Sequence, residues 1–533
     1  MLAQHTPRWL TLLFALSGGL LTDLGFPDTG IWLAAIAGVS LLYLALSRDA
    51  PWWNFLMGFV WGVVFFLKHI GWAQYAVGNV PWAALSVLEA LFVAVVALVW
   101  TFVRRVPVVV RSRTLHVSAF AVLFVGAELA RSSVPFGGFP WGRIAFSQAE
   151  SPIGRLAWVA GMPLVSFAAV VVAVLLALGL AGIRRLDVLT FGTTIIVAAV
   201  IVAVGLIVPL DTRSEAGTLR VGAVQGNVAK GGLDAFDIRR EVLDNHVQGT
   251  HALLEQVDPG YLDIVLWPEN GTDIDPQVDA AAEAAIDGAA RAVDAPLLLG
   301  AQEFPDDGGR YNVALLWEAG VGVVDRYAKQ HPAPFAEYIP IRDLVRPFSD
   351  AVDLVHTDML PGTTPGIITL ESPRLERDVI VGDIICFEVA YDELVRESIQ
   401  AGGELLVVQT NNASFGPTNE STQQLAMTQL RAIETGRTTI QISTVGVSAV
   451  VAPNGTIIER TGLFTTEQLV ADVALRTSMT PAVVLGPWPA RLVMLLALGL
   501  LVLAVVRRPT RDGRPSVPRP AVRTALATES STR

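Results

Sequence analysis

Residues 377–400, RDVIVGDIICFEVAYDELVRESIQ, pass from an apolar, β-branched run into a charged amphipathic one, with a cysteine at the joint. The run through Ile385 predicts a buried strand, and the residues from Tyr391 onward carry a helical pattern. Cys386 is the chain's one cysteine, so no intrachain disulfide can form and its thiol is free. A sulfur at a strand-to-helix turn near helix amides is expected to titrate below the usual thiol value of about 8.5, which favours the thiolate. Free cysteine also packs as a small hydrophobe. Against that reading stand Asp383 and Glu388, charged neighbours unusual around core filler. Cys386 is therefore the candidate nucleophile.

Outward from this joint the same alternation repeats. TLRVGAVQGNV (218–228), DIVLWPEN (263–270), PLLLGAQ (296–302) and ELLVVQTNN (404–412) read as strands. Residues 237–257 and 275–293 read as helices, the second with Asp275 near its start. Residues 313–329 predict a hairpin about Ala319-Gly320, and 438–460 a hairpin at Asn454-Gly455. Strands alternating with helices make an α/β layered domain.

The flanks are different. Hydrophobic residues make up 52% of the 533 and charged residues 16%, where a soluble chain carries roughly a quarter charged. The apolar residues clump into runs near the roughly 20 residues that cross a hydrocarbon core of about 30 Å. Eight spans are expected, near 9–25, 30–47, 55–76, 82–103, 115–134, 156–182, 187–209 and 487–506. The expected organisation is a seven-span bundle over 1–210, an α/β domain over 211–480, a last membrane helix over 481–508 and a disordered basic tail over 509–533. Arg48, Arg104, Arg105, Arg111, Arg113, Arg184 and the tail arginines fall on one side of this topology. The positive-inside rule makes that side cytoplasmic and puts 211–480 outside the cytoplasm. Arg131, Arg143 and Arg155, all in the loop after the fifth span, run against the rule.

The net charge is −11, and no basic stripe with interleaved aromatics points to nucleic acid. No serine-hydrolase elbow and no metal-ligand spacing is present, so neither a metal nor a cofactor is expected. Two further residues stand out in the α/β region. Glu269 ends an apolar strand beside Trp267, where desolvation suits a general base. Lys329, one of three lysines against 35 arginines, offers a compact ammonium that can steady an oxyanion. Glu337 lies in the same proline-rich segment as Lys329 and could orient it.

Glu, Lys and Cys in this order, in LWPEN (266–270), YAKQHPAPFAEYIP (327–340) and GDIICFE (382–388), resemble the signature regions of the nitrilase, or carbon–nitrogen hydrolase, superfamily. With a membrane bundle around that domain, the chain is similar to the apolipoprotein N-acyltransferase family. GFVWGVVFFLKHIGW (58–72), GAELARSSVPFGGFPWGRIAFSQAESP (126–152) and LAWVAGMPLVSF (156–167) carry the membrane half of the resemblance. It implies an αββα sandwich on a polytopic α-helical membrane bundle of about eight spans. It implies a Glu269–Lys329–Cys386 triad, with Glu337 and Glu388 in support, that carries an acyl group as a thioester. The implied donor is a membrane phospholipid. The implied acceptor is the α-amine of the N-terminal S-diacylglyceryl-cysteine of an apolipoprotein, in a bacterial inner membrane. Phe387 stands where many relatives carry tyrosine, and the glycine-rich segment after residue 228 lacks their tryptophan, with Phe236 nearby. Two other functions compete. A membrane-anchored nitrilase-type amidohydrolase would use the same triad with water as acceptor. A transporter or receptor would need ionisable residues along a pathway, for which Lys68, Glu89 and Glu128 are the main candidates.

Overall fold

A computed structural model describes residues 6–184, 186–228 and 240–506. Arg185, Lys230, Phe236 and the basic tail lie outside the described residues. Each of the eight apolar runs forms helix: Arg8–Asp23, Trp32–Ala45, Pro51–His69 with Gly71–Val77, Asn79–Val103, Arg113–Arg131, Ala157–Arg184, Val188–Leu206 and Trp488–Val506. Among the described residues, five are long and apolar enough to cross a membrane, and the third run makes a sixth if its two pieces count as one span. That run was expected to be continuous, but it bends by 59° at Ile70. Arg8–Asp23 and Trp32–Ala45 have only 16 and 14 residues. At 1.5 Å per residue they reach about 24 and 21 Å.

Small residues let the helices approach closely. A Cβ added at Gly58 or Gly62 would sit 2.7 Å from Ala97 or Ala90, so the third run packs backbone to backbone on Asn79–Val103. The ionisable residues inside this bundle are structural. Arg131 pairs with Glu89 at 3.1 Å and donates to the carbonyls of Phe139 and Trp141. Glu128 accepts from the Ile144 N–H at 2.7 Å, and Lys68 faces outward.

Among the described residues the α/β region contains twelve strands. They are Thr218–Gln225 (β1), Ile264–Leu266 (β2), Leu297–Glu303 (β3), Tyr311–Glu318 (β4), Gly322–Ala328 (β5), Ile367–Ser372 (β6), Arg377–Ile385 (β7), Leu405–Thr410 (β8), Thr439–Ser443 (β9), Ala449–Val451 (β10), Ile457–Arg460 (β11) and Glu467–Ala474 (β12). They form two six-stranded sheets, ordered β12-β1-β2-β3-β4-β5 and β11-β10-β9-β8-β7-β6. In each sheet three adjacent strands are parallel, β1-β2-β3 in one and β9-β8-β7 in the other. Val221, Leu266, Leu298 and Leu316 from the first sheet meet Val381, Ile385, Val407 and Ile442 from the second in one apolar layer. Both expected hairpins are present, as β4–β5 and β10–β11.

Helices Glu241–Ala252 and Ala280–Val293 cover the outer face of the first sheet. The second of these starts later than the reading placed it. Asp279, not Asp275, is its N-cap, accepting from the N–H groups of Ala281 and Ala282 at 3.0 Å. Helices Asp392–Gln400 and Glu420–Thr435 cover the second sheet. Leu394, Val395, Met427, Leu430 and Ile433 from these helices share one core with the membrane helices, including Trp61 and Ala169. One helical layer of the αββα sandwich is thus pressed between sheet and membrane bundle. The strands β6 and β12 and the helix Glu420–Thr435 have no counterpart in the sequence reading.

Candidate active site

The parallel strands of both sheets end on the same side, and the candidate residues gather there. Cys386 follows the last residue of β7 and opens a one-turn 3-10 helix, Cys386–Ala390. Its φ of +54° is a left-handed conformation that a non-glycine residue adopts only under constraint. Glu269 lies three residues beyond β2 and Lys329 one beyond β5. All three sequence-predicted residues converge, and Glu337 and Glu388 join them.

Lys329 and Glu269 are almost wholly buried, at 1% and 4% exposure. The Lys329 ammonium donates to Glu269 Oε1 at 3.1 Å and to Glu337 Oε1 at 2.7 Å. Glu269 also accepts from Asn312 Nδ2 at 2.6 Å on Oε1 and from the Asn411 N–H at 2.9 Å on Oε2. A carboxylate has about four lone-pair sites, so three donors leave one for an incoming proton. Glu337 is itself held by the Ala333 N–H at 2.6 Å. Burial alone would depress the Lys329 ammonium, but Glu269 and Glu337 hold it well above the usual lysine value. It is a fixed positive charge.

The thiol differs from the sequence expectation. Burial, and then the negative charge of Glu269, push the Cys386 thiol well above its usual value, outweighing Lys329. One 3-10 turn offers too little helix to counter that. At rest the sulfur keeps its proton, and it needs a base at the moment of attack. Thr410 Oγ1 lies 3.4 Å and Gln424 Nε2 3.8 Å from Sγ.

Glu388 works as a staple. It is fully buried and accepts from the N–H groups of Gln330 and His331 and from the Tyr327 hydroxyl, all on the Lys329 side. Its other oxygen accepts from the Ile385 N–H at 2.8 Å, next to the nucleophile. The two segments that carry Lys329 and Cys386 are therefore fastened to one carboxyl group.

Phe387 turns the site toward the membrane bundle. Its ring stacks on Phe139 and Trp141 at centroid distances of 5.9 and 6.1 Å, and Tyr391 meets it edge-on. Trp72 contacts Phe139, Trp141 and Phe415. This aromatic wall is built from the PFGGFPWG loop (135–142), the bent third run and the nucleophile's own turn. Gln423 Oε1 accepts from the indole N–H groups of Trp72 and Trp141, which ties the wall to the helix behind the cysteine.

The same face explains an anomaly in the charge pattern. Arg143 pairs with Asp392 at 2.8 Å, and Asp392 with Arg431 at 2.9 Å. Arg431 also pairs with Glu434, which Arg396 approaches. Arg131 and Arg143 are buried structural cations, whereas Arg155, the third arginine of that loop, is only half-buried.

Sequence reasoning missed Asn312, Thr410, Asn411 and Gln424. The one visible signal was the polar QTNN run that ends the apolar stretch LLVV (405–408).

Residues 18–175 match the family profile described as apolipoprotein N-acyltransferase N-terminal domain, and residues 222–479 match that described as carbon-nitrogen hydrolase. A protein of Mycolicibacterium smegmatis named apolipoprotein N-acyltransferase is 36% identical over 94% of this chain and 86% of its own length. One of the same name from Azotobacter vinelandii is 29% identical over 97% of this chain and 98% of its own. Among solved structures, a nitrilase-superfamily amidase from Nesterenkonia AN1 is 20% identical, with a TM-score of 0.36, over 49% of this chain and 93% of its own.

Proposed function

The chain belongs to the apolipoprotein N-acyltransferase family, and from that premise we propose the following reaction and residue roles. The protein moves an acyl chain from a membrane phospholipid, through a thioester on Cys386, to the α-amine of the S-diacylglyceryl-cysteine that begins an apolipoprotein. Glu269 takes the thiol proton as sulfur attacks the ester carbonyl of the phospholipid. The oxygen of the tetrahedral intermediate becomes negative, and the Lys329 ammonium stabilises it. The C–O bond breaks, Glu269 returns the proton to the leaving oxygen, and a lysophospholipid departs. In the second half the lipoprotein amine attacks the thioester and Glu269 receives its proton. The C–S bond breaks and the thiol is restored. Splitting the transfer in two replaces one difficult step by two easier ones.

The observation that carries this reading is the buried line Glu337–Lys329–Glu269 beside a cysteine whose turn stacks on aromatic residues of the membrane bundle. A site for a soluble amide has no need of that wall. A lipid ester needs an apolar approach from the bilayer. The proposal includes eight spans in the bacterial inner membrane and a catalytic domain, near 211–480, on its extracytoplasmic face. The alternation of arginine-rich loops supports that orientation.

The test is mass spectrometry of Cys386 after the purified protein meets phosphatidylethanolamine and other phospholipids in detergent. An added acyl mass that hydroxylamine removes is the expected result. A bare Cys386 in folded protein, together with hydrolysis of soluble amides, would shift the assignment to an amidohydrolase with water as acceptor.

A further inference from the structure

Behind the nucleophile lies a buried carboxyl group that the reaction above does not use. Glu420 is the first residue of helix Glu420–Thr435 and is 3% exposed. Its Oε2 accepts from Asn412 Nδ2 at 2.6 Å. The same amide donates to Gln424 Oε1 at 3.0 Å, and Asn412 Oδ1 accepts from Ser443 Oγ at 2.6 Å. The amide of Asn412 is thus held from three sides. A Cβ at Gly446 would come within 2.1 Å of Asn412 Oδ1, so the backbone closes tightly around it.

Two connections lead from Asn412 to the reacting groups. The first passes through Gln424, whose Nε2 points at Cys386 Sγ and whose Oε1 accepts from Thr410 Oγ1 at 2.8 Å. The second is the chain itself. Asn411, the preceding residue, donates its N–H to Glu269 Oε2. Thr410 adds a constraint of its own. A hydroxyl has one hydrogen, and both Gln424 Oε1 and Cys386 Sγ lie within its reach. While sulfur is a thiol, the hydroxyl donates to Gln424. Once sulfur becomes a thiolate, the hydroxyl turns toward it.

From these contacts we infer that Glu420 is a positioning residue for thioester formation. Through Asn412 it fixes the Gln424 amide and the Thr410 hydroxyl on the sulfur, and the Asn411 N–H on Glu269. The inference rests on the proposed roles of Cys386 as nucleophile and Glu269 as base. Burial, opposed by the Asn412 amide and supported by the charge of Glu269, raises the Glu420 carboxyl to about 8. At neutral pH Glu420 is therefore a neutral acid. It anchors Asn412 without adding another negative charge next to Glu269 and Glu337.

The experiment uses the full chain in detergent and two probes of Cys386: alkylation by iodoacetamide across pH, and acylation by phosphatidylethanolamine. In Glu420→Ala, alkylation at neutral pH, where Glu420 carries no charge, is expected to slow about tenfold, because donors to the thiolate are no longer held. The groups acting on the thiol are Glu269, Lys329, Thr410 and Glu420. Glu420→Gln, which keeps an oxygen acceptor for Asn412, is expected to stay within about twofold of the unaltered protein. A role confined to stability would lower Tm and leave the neutral-pH alkylation rate in place. If Glu420→Ala does not fold, Asn412→Leu, which keeps the side chain's branching and removes its polar atoms, decides with the same expected slowing. Alkylation at the unaltered neutral-pH rate in either variant overturns the inference. If no phospholipid acylates the unaltered protein, the functional reading fails on its own, while the alkylation results still decide the role of Glu420.

Discussion

The two sheets of the sandwich have matching strand orders and each carries two helices, yet their helical layers are built from opposite kinds of residues. Helix Ala280–Val293 on the first sheet buries Ala282, Ile286, Ala289, Ala290 and Val293 and leaves its charges in solvent. Helix Glu420–Thr435 on the second is buried at every position except Thr422, although it reads ESTQQLAMTQLRAIET. The first helix has water on its far side. The second has the membrane bundle on one side and the nucleophile on the other, so its glutamines, arginine and glutamates all find partners. A buried polar group costs little when it is fully hydrogen-bonded and a great deal when it is not. The outer helix is therefore a packing element, and the inner one is an adaptor between membrane, sheet and sulfur.

Substitutions can break that contrast at several depths. The largest loss is expected at the centre. Lys329→Met removes the fixed cation and should lower the rate of acyl transfer roughly 10³-fold, measured as acyl-Cys386 formation in a burst experiment. Retained activity would mean that another donor meets the oxyanion. Next comes the adaptor. Arg431→Ala leaves Asp392 and Glu434 buried beside fewer cations. Breaking a buried pair in this way costs about 3–5 kcal/mol. Its counterpart on the outer helix, Arg291→Ala, removes an exposed i,i+4 partner of Asp287 and should cost only about 0–0.5 kcal/mol. Equal shifts in thermal unfolding for the two would erase the distinction between the layers.

A subtler effect concerns two aspartates of the second sheet and its helix, which should respond to pH in opposite directions. Asp383 is fully buried and neither oxygen has a partner, so burial and then Glu388 hold its carboxyl well above the usual range. A carboxyl raised on folding favours the native state below its unfolded pKa of about 3.9 and loses that contribution as pH rises. Asp383→Asn should then gain roughly 2–4 °C in Tm at neutral pH, a gain that disappears toward pH 4. Asp392 is the reverse case. Burial works against its charge, but Arg143, Arg431 and Arg396 outweigh that and hold the carboxyl below its ordinary value. Its stabilisation is present above the unfolded pKa and fades as pH falls. Asp392→Asn should flatten the acid side of the stability profile, and an unchanged acid side would remove Asp392 from the account.

Where local pattern and tertiary demand agreed, the sequence was enough. The apolar runs announced membrane helices, because the bilayer asks only for length and apolarity. The alternating strands and the turns at Gly320 and Gly455 announced an α/β layered domain, and the order Glu269, Lys329, Cys386 carried the resemblance that implied the sandwich and its candidate centre. Other features were set only when distant segments met. Helix Glu420–Thr435 is buried well beyond its apolar stripe of Met427, Leu430 and Ile433, because its polar residues face partners rather than water. The break at Ile70 and the burial of Arg131 and Arg143 depend on neighbours far along the chain. The thiol of Cys386 was expected to titrate low from the turn it occupies. Packing half-buried it near Glu269 and reversed the sign, since desolvation and a neighbouring charge outweigh one short turn of helix. The sequence determined which groups are available, and the tertiary structure decided their protonation and their partners, because both depend on what surrounds a side chain rather than on what precedes it.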